Sequence, residues 1–377
     1  MTVQRIGIIG GGQLAWMMAA AAQKLGLQLI IQTPSPDDPA VSIADQVIYA
    51  PIADAAATAK LAQCCDVITF ENEFIDLDAL RPLEEAGVCF RPRLDALAPL
   101  LDKYTQHQSL EQMGLPVPDY QLLEPDGTIP PCDFPVVLKA RRHGYDGQGT
   151  FILKSREALI ELWERLGRPS ILLESFIPFE RELAVMAARS LTGEVVVYPV
   201  VETQQINQVC RRVMAPAVLA PALEAEIIHA ATTLLNSLEV VGIFGIEFFL
   251  TQDQRVLVNE IAPRTHNSGH YTLDACEVSQ FEMQLRAVAG LPLPVPQLKT
   301  GGVVMVNLLG YETAYHDYQE KRARLSEIPG ATLHWYGKAE SRPGRKLAHI
   351  TVLSEEPLDE AGGLAIAQPI EQLWYPS

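Results

Sequence analysis

The segment Arg5–Gly26, RIGIIGGGQLAWMMAAAAQKLG, constrains the fold more than any other stretch. RIGIIG reads as a short buried strand and GGQ as a turn. LAWMMAAAAQKLG reads as a helix of small and unbranched residues ending at Gly26. LQLIIQT is a second strand, followed by a proline-rich loop, and DVITF and GVCF read as further strands with helical segments between them. This β-α-β alternation predicts a parallel sheet with helices on both faces over residues 1–100. GGGQLA, Gly10 to Ala15, also matches the G-x-G-x-x-A fingerprint whose backbone amides hold a phosphate at a helix N-terminus. A dinucleotide further requires an acid at the end of the second strand. Thr33 and Pro34 stand there instead, which leaves a single phosphate or an empty turn.

The texture changes at Leu101. LDKYTQHQSLEQMGLPVPDY reads as a helix closed by Gly114 and two prolines. The strands FPVVLKA, TFILK, SILLESF, ELAVMAAR and EVVVYPVVET follow. A helix, ALEAEIIHAATTLLNSL, precedes a hairpin, GIFGIEFFL–TQDQ–RVLVNEIA. LPLPVPQLKTGG reads as a linker to a small β-rich end built from VVMVNLLG, ATLHWYGK and KLAHITVL. The expected division is 1–100, 101–296 as an α+β unit, and 297–377.

A net charge of −17 argues against general affinity for nucleic acid or an anionic membrane, yet leaves room for a local cationic site. The six cysteines show no CxxC spacing and read as thiols in a reducing compartment. The N-terminus lacks the basic segment of a signal peptide, and no stretch approaches the ~18 apolar residues that span a bilayer. A soluble, cytoplasmic chain is expected.

Four groups carry chemistry. In the hairpin, a four-residue turn places Leu250 opposite Arg255 and Glu247 opposite Val258. Glu247 and Glu260 then become diagonal neighbours, about 7–8 Å apart at the backbone. Two such carboxylates on a half-buried face repel each other unless a cation lies between them, and magnesium takes oxygen ligands together with substrate phosphates. Lys139 ends an apolar strand just before RRHGYDGQGTFIL, where a compact charge suits a phosphate. Lys103 taken alone reads as a surface lysine. PRTHNSGHY, Pro263 to Tyr271, follows Glu260 and reads as an anion- or substrate-binding loop rather than a zinc site. HWYGKAESRPGRKLAH gathers Lys338, Arg342, Arg345 and Lys346 into the densest positive cluster, read as a phosphate site against a solvated basic loop.

GYDGQG, NEIAPRTHNSGH and HWYGK…RPGRK together resemble the ATP-grasp superfamily, and within it the 5-(carboxyamino)imidazole ribonucleotide synthases of purine (IMP) biosynthesis. The resemblance covers nearly the whole chain. It implies an ATP-grasp fold with a Rossmann-like pre-ATP-grasp domain in front, a mobile lid subdomain at about 117–178 and a small β-rich C-terminal domain. It also implies an ATP-dependent ligase that carboxylates aminoimidazole ribonucleotide (AIR) with bicarbonate through carboxyphosphate. For ATP it implies Lys103, Lys139 and the loop residues Gly144, Tyr145, Asp146, Gly147, Gln148, Gly149 and Thr150. The adenine hinge would be Glu174, Ser175, Phe176 and Ile177, with Glu182 on the ribose and Glu202, Asn259 and Glu260 as further contacts. Glu247 and Glu260 would hold Mg2+, since Ala262 replaces the asparagine that many ATP-grasp enzymes carry after N-E-I. For AIR it implies Gln13, Leu14, Glu71, Asn267, Lys338, Arg345 and Lys346. Tyr145, Asp146, Arg264 and His266 would do the chemistry, with Asp146 or His266 taking the amine proton. A homodimer and a transient complex with a carboxyaminoimidazole ribonucleotide mutase are implied as partners. A formate-using glycinamide ribonucleotide transformylase, an NAD-linked oxidoreductase and a non-catalytic nucleotide sensor stand as rivals.

Overall fold

The computed structural model describes residues 3–142 and 149–376. Arg5–Ile9 (β1) pairs in parallel with Gln28–Thr33 (β2). Beyond them come Gln46–Tyr49 (β3), beside β2, and Val67–Phe70 (β4), beside β1, in the order β3-β2-β1-β4. This is the parallel sheet expected from the alternation. β3 was not expected, because QVIY has exposed ends and lies in a proline-rich stretch. GVCF forms no strand and contributes one bridge, Ile68 to Phe90. The first helix divides into Gln13–Trp16 and Ala19–Leu25, and Gly26 ends the second with φ 66°, a left-handed cap that suits glycine.

Tyr120–Leu123 (β5), Val136–Lys139 (β6), Thr150–Leu153 (β7) and Ile171–Ser175 (β8) form an antiparallel sheet ordered β5-β8-β6-β7. The helix Arg156–Arg165 covers one face with Leu159, Leu162 and Trp163. The Ala140 N–H donates to the Gly149 carbonyl at 2.7 Å and extends the β6–β7 ladder to the base of the glycine loop. His143 and the loop residues Gly144 to Gln148 lie outside the described residues.

The third sheet has nine strands. Phe179–Arg189 (β9), Val195–Val197 (β10), Val201–Ile206 (β11), Val209–Ala215 (β12), Gly242–Thr251 (β13) and Val256–Ala262 (β14) carry its first part. Gly302–Leu309 (β15), Ala331–Trp335 (β16) and Lys346–Ser354 (β17) complete the order β14-β13-β9-β11-β12-β15-β17-β16, with β10 also on β9. EVVVYPVVET is therefore two strands, parted around Pro199, which has no N–H to give a ladder. The C-terminal strands build no sheet of their own: β15 pairs with β12 and continues the central one. The amphipathic helix Pro221–Ser237 buries Ile227, Leu234 and Leu235 against this sheet. Among the described residues no helix is long and apolar enough to cross a membrane.

The helix Gln280–Ala289 joins the first sheet to the third. Gln284 is fully enclosed; its carbonyl accepts from the Ile243 N–H at 2.7 Å and its amide donates to Thr69 Oγ1 at 2.9 Å. Lys24 meets Glu282 of the same helix at 2.8 Å. Replacing Gln284 by Leu strands a buried N–H. The expected cost is about 1–3 kcal/mol, read as a lower urea midpoint than the parent protein.

Candidate active site

The hairpin sets the centre of the site. Its register is not the expected one: Leu250 faces Val256 and Phe248 faces Val258, but Glu247 faces Glu260. The turn is one residue longer than expected, so Leu250 already meets Val256 rather than Arg255, and a β-bulge at Asn259 in β14 adds a second residue. An unbroken strand would put Val258 and Glu260 on one face. With the bulge, Val258 packs into the core beside Phe248 while Asn259 and Glu260 both face a cavity of about 1040 Å³. The two glutamates thus become direct cross-strand neighbours rather than diagonal ones. Glu182, on the adjacent β9, also lines the cavity. Burial first, and then the charge of Glu247, push its carboxyl up to about 8. Three carboxyl groups in one concavity form a hard-oxygen set with surplus negative charge, and a divalent cation fits it.

A second layer of charge comes from the helix Lys103–Gln112. Asp102 caps it by accepting from the Tyr104 and Thr105 N–H groups, and also holds Arg141 at 2.9 Å. Lys103 is no free surface lysine: its Nζ lies 2.6 Å from Glu260 Oε1. Although enclosure works against it, Lys103, with Lys139 and Arg264 beyond, holds the Glu260 carboxyl below its ordinary value. One turn on, Gln106 donates to the Leu100 and Ile261 carbonyls and accepts from the Ile261 N–H, fastening the helix beside the bulge. His107 lies next to it, with Nε2 3.0 Å from Glu174 Oε1. Lys139 bridges Glu174 Oε2 at 2.7 Å and Asn259 Oδ1 at 3.0 Å. Burial pushes the Glu174 carboxyl up, but Lys139 and His107 outweigh it and hold it at about 2. Glu174 was expected at a hinge read through its backbone; its side chain also anchors Lys139. Asp102, Gln106 and His107 escaped the sequence reading. The signal for Gln106 and His107 is their spacing from Lys103, i+3 and i+4, which puts polar residues on a buried helix face, and that for Asp102 is its place as N-cap just before Lys103.

The far end of the cavity is built from three loops. At the glycine turn, Glu71 accepts from the Gly12 N–H at 3.1 Å and the Leu14 N–H at 3.2 Å. A carboxylate fills the amides that the sequence left to a single phosphate or an empty turn, so the turn presents an acid to the cavity. Burial raises the Glu71 carboxyl, with the Gly12 amide and Arg264 opposing. Arg264 Nε lies 2.8 Å from Glu73 Oε1; burial works against its charge, but Glu73, with Glu71 and Glu260 beyond, outweighs it and keeps the guanidinium charged. His266 contacts Glu247 at 3.6 Å and Ser268 Oγ at 2.9 Å. Burial, then Arg264 and Lys346, push its imidazole down to about 3, so it is neutral at physiological pH. A Cβ on Gly245 would sit 2.5 Å from the His266 Cβ, which makes glycine necessary beneath the ring. Asn267 exchanges two amide hydrogen bonds with Asn307, at 3.0 and 2.7 Å, and faces the site as a fixed wall.

Gln13, Leu14, Lys338, Arg345 and Lys346 line the same cavity, as do Thr150, Ser175, Phe176 and Ile177. Lys338 donates to the Lys346 carbonyl at 2.7 Å and Arg345 to the Glu340 carbonyl at 2.8 Å, which orders the basic loop. Glu202 is buried beside Arg181 at 3.5 Å and does not line the cavity. Tyr145 and Asp146 lie outside the described residues. Asp274, His334 and His349 also bring three donor atoms within 4.8 Å of one another. The two imidazoles, however, stack at 4.5 Å with planes 13° apart. Their in-plane lone pairs run side by side and cannot meet on one ion, so the carboxylates of the hairpin are the better metal donors.

Three family patterns match successive parts of the chain. They are the ribonucleotide synthetase preATP-grasp domain over residues 3–99, the ATP-grasp domain over 108–281, and the phosphoribosylaminoimidazole carboxylase C-terminal domain over 303–361. The N5-carboxyaminoimidazole ribonucleotide synthase of Synechococcus elongatus is 55% identical over 98% of this chain and 94% of its own. The Synechocystis enzyme of the same name is 52% identical over 98% of both. Among solved structures, the Aspergillus clavatus enzyme complexed with ATP superposes with a TM-score of 0.89 at 30% identity, covering 98% of both chains. The same enzyme in complex with ADP and 5-aminoimidazole ribonucleotide gives 0.88 at 29% identity, covering 99% of this chain and 98% of that one. By sequence along almost its whole length, and by fold, the chain belongs to the N5-carboxyaminoimidazole ribonucleotide synthases, ATP-dependent ligases of the ATP-grasp superfamily.

Proposed function

We propose that the cavity runs this family's reaction with its two charged ends holding different substrates. The observation that carries the reading is the cross-strand pair Glu247–Glu260, flanked by Lys103 and Lys139 and facing a basic loop across one cavity. ATP lies at the hairpin end, with Lys139 and Lys103 on its phosphates, the Glu174–Ile177 segment along its adenine and Glu182 on its ribose. Thr150, Gly149 and the loop residues Gly144 to Gln148 cover the phosphates, and Asn259 contributes through Lys139. Glu247 and Glu260 would hold Mg2+, which neutralises phosphate charge and aligns the γ-phosphoryl group.

AIR occupies the opposite end. Glu71, already serving two amides, suits the hydroxyls of a ribose and repels a phosphate. The AIR phosphate therefore goes to Lys338, Arg345 and Lys346, with Gln13, Leu14 and Asn267 as walls. Arg264, charged and aimed between the two ends, holds bicarbonate as it attacks the γ-phosphate. ADP leaves and carboxyphosphate remains, a species that survives only where water is excluded. It collapses to CO2 and phosphate beside the AIR amine, which attacks the CO2 carbon and gives up a proton. His266 is a poor acceptor for that proton, being depressed to about 3 beside Arg264. Asp146, with Tyr145 next to it, takes that role. A chain of this family works in solution and pairs as a homodimer, and a downstream carboxy-group mutase is the natural consumer of a labile carbamate.

ADP release is expected only with AIR and bicarbonate together; formate with glycinamide ribonucleotide giving equal turnover would refute the reading. Asp146→Asn is expected to slow carboxylation by roughly 10²-fold or more while leaving the KM for ATP near that of the parent. A wild-type rate in that variant removes the role. Glu182 gives a pH signature. Its carboxyl is raised in the folded protein, so the stability it confers is complete below its unfolded value of 4.5 and is lost as pH rises toward about 8. Glu182→Gln should therefore match the parent in urea unfolding near pH 4 and exceed it near pH 8.5.

A further inference from the structure

His107 is buried to 1% exposure in a helix whose neighbouring positions each have a task. Lys103 answers Glu260, and Gln106 is spent on the Leu100 and Ile261 backbone. Tyr104 packs against Arg141. The imidazole stands edge-on to Tyr120, with ring centres 5.0 Å apart and planes at 81°, and this packing sets its direction. In that orientation Nε2 lies 3.0 Å from Glu174 Oε1, a close approach that lacks hydrogen-bond alignment in this geometry and becomes a donor contact with a small turn of the ring or the carboxylate. The other carboxylate oxygen, Oε2, carries Lys139.

Glu174 is itself only 2% exposed. A buried carboxylate with one oxygen unanswered can turn about its last torsion and carry its partner along. Among the described residues Lys139 has one further acceptor, Asn259 Oδ1 on the bulge. The ammonium's position therefore depends on whether Glu174 is held at both oxygens. We propose that His107 is a positioning residue for ATP: it fixes Glu174 through Oε1, so that the Glu174 carboxylate and Asn259 together aim Lys139 at the phosphates. His107 touches neither the nucleotide nor AIR; it acts two side chains away. The proposal rests on the reading above that Lys139 meets ATP.

The test exploits the two nitrogens of the ring. A glutamine side chain places its N–H where Nε2 stands, whereas an asparagine reaches only as far as Nδ1. His107→Gln thus keeps the contact and His107→Asn removes it, with both residues polar and similar in volume. Initial rates of ADP release by the full chain are measured with ATP and AIR varied in turn. His107→Asn is expected to raise the KM for ATP roughly tenfold, the effect of losing one charge-assisted contact. The KM for AIR should stay within about twofold, and His107→Gln should stay within about threefold of the parent in both. His107→Leu, lacking any donor, should follow the asparagine variant. The proposal is overturned if the asparagine and glutamine variants behave alike, as a purely packing role requires. It is equally overturned if the KM values for ATP and AIR rise together. Lys139→Met is measured alongside. If it too leaves the KM for ATP unchanged, the placement of Lys139 fails first; if it loses ATP while His107→Asn does not, only the role of His107 falls.

Discussion

One extra residue in one strand organises the whole site. Without Asn259, β14 would continue its alternation, and Glu260 would share a face with Val258. The bulge lets Val258 remain in the core while Glu260 turns to meet Glu247. It also frees the Asn259 side chain to reach Lys139. The helix carrying Lys103 is fastened to the next residue, Ile261, through Gln106. A local irregularity of the backbone thereby places an acid pair, an amide and two lysines from four separate elements.

The charge distribution follows a consistent rule. Every buried carboxylate of the cavity is answered by something specific, except where a ligand is due. Glu174 has Lys139 and His107, and Glu71 has two backbone amides. Glu182, by contrast, is pushed up by burial and by its neighbour Glu247. Carboxyl groups desolvated side by side are costly. Their presence at this one place marks where substrate and cation charge is to be supplied.

Much of this was legible from residue patterns. The parallel first sheet followed from the strand–glycine–helix start, and the hairpin from its apolar strands and polar turn. The glutamates, Lys139, the loop after Glu260 and the basic loop were all visible as chemistry. What could not be read was set by three-dimensional detail. A bulge has no sequence mark of its own and the turn is one residue longer than it reads, so the register at Glu247 was two residues out and the glutamates seemed diagonal. Glu71 lies far from the glycine turn in the chain, and only the β1–β4 pairing brings it onto those amides. Lys103 looked like any surface lysine because its partner is contributed by another element. His107 and Gln106 were hidden in a polar helix whose buried face has no hydrophobic stripe to reveal it.

The continuity of the central sheet bears on how the chain is made. β12 is completed well before β15 is synthesised, and β15 is the strand that pairs with it. Until then a long, apolar-flanked edge with unpaired N–H and C=O groups is open on the nascent protein, an invitation to pair with another chain. The end of the polypeptide thus does more than carry the basic loop. By pairing with β12 it closes an edge of the sheet, so a chain truncated before Gly302 would keep its glutamate hairpin but leave that edge open to other chains.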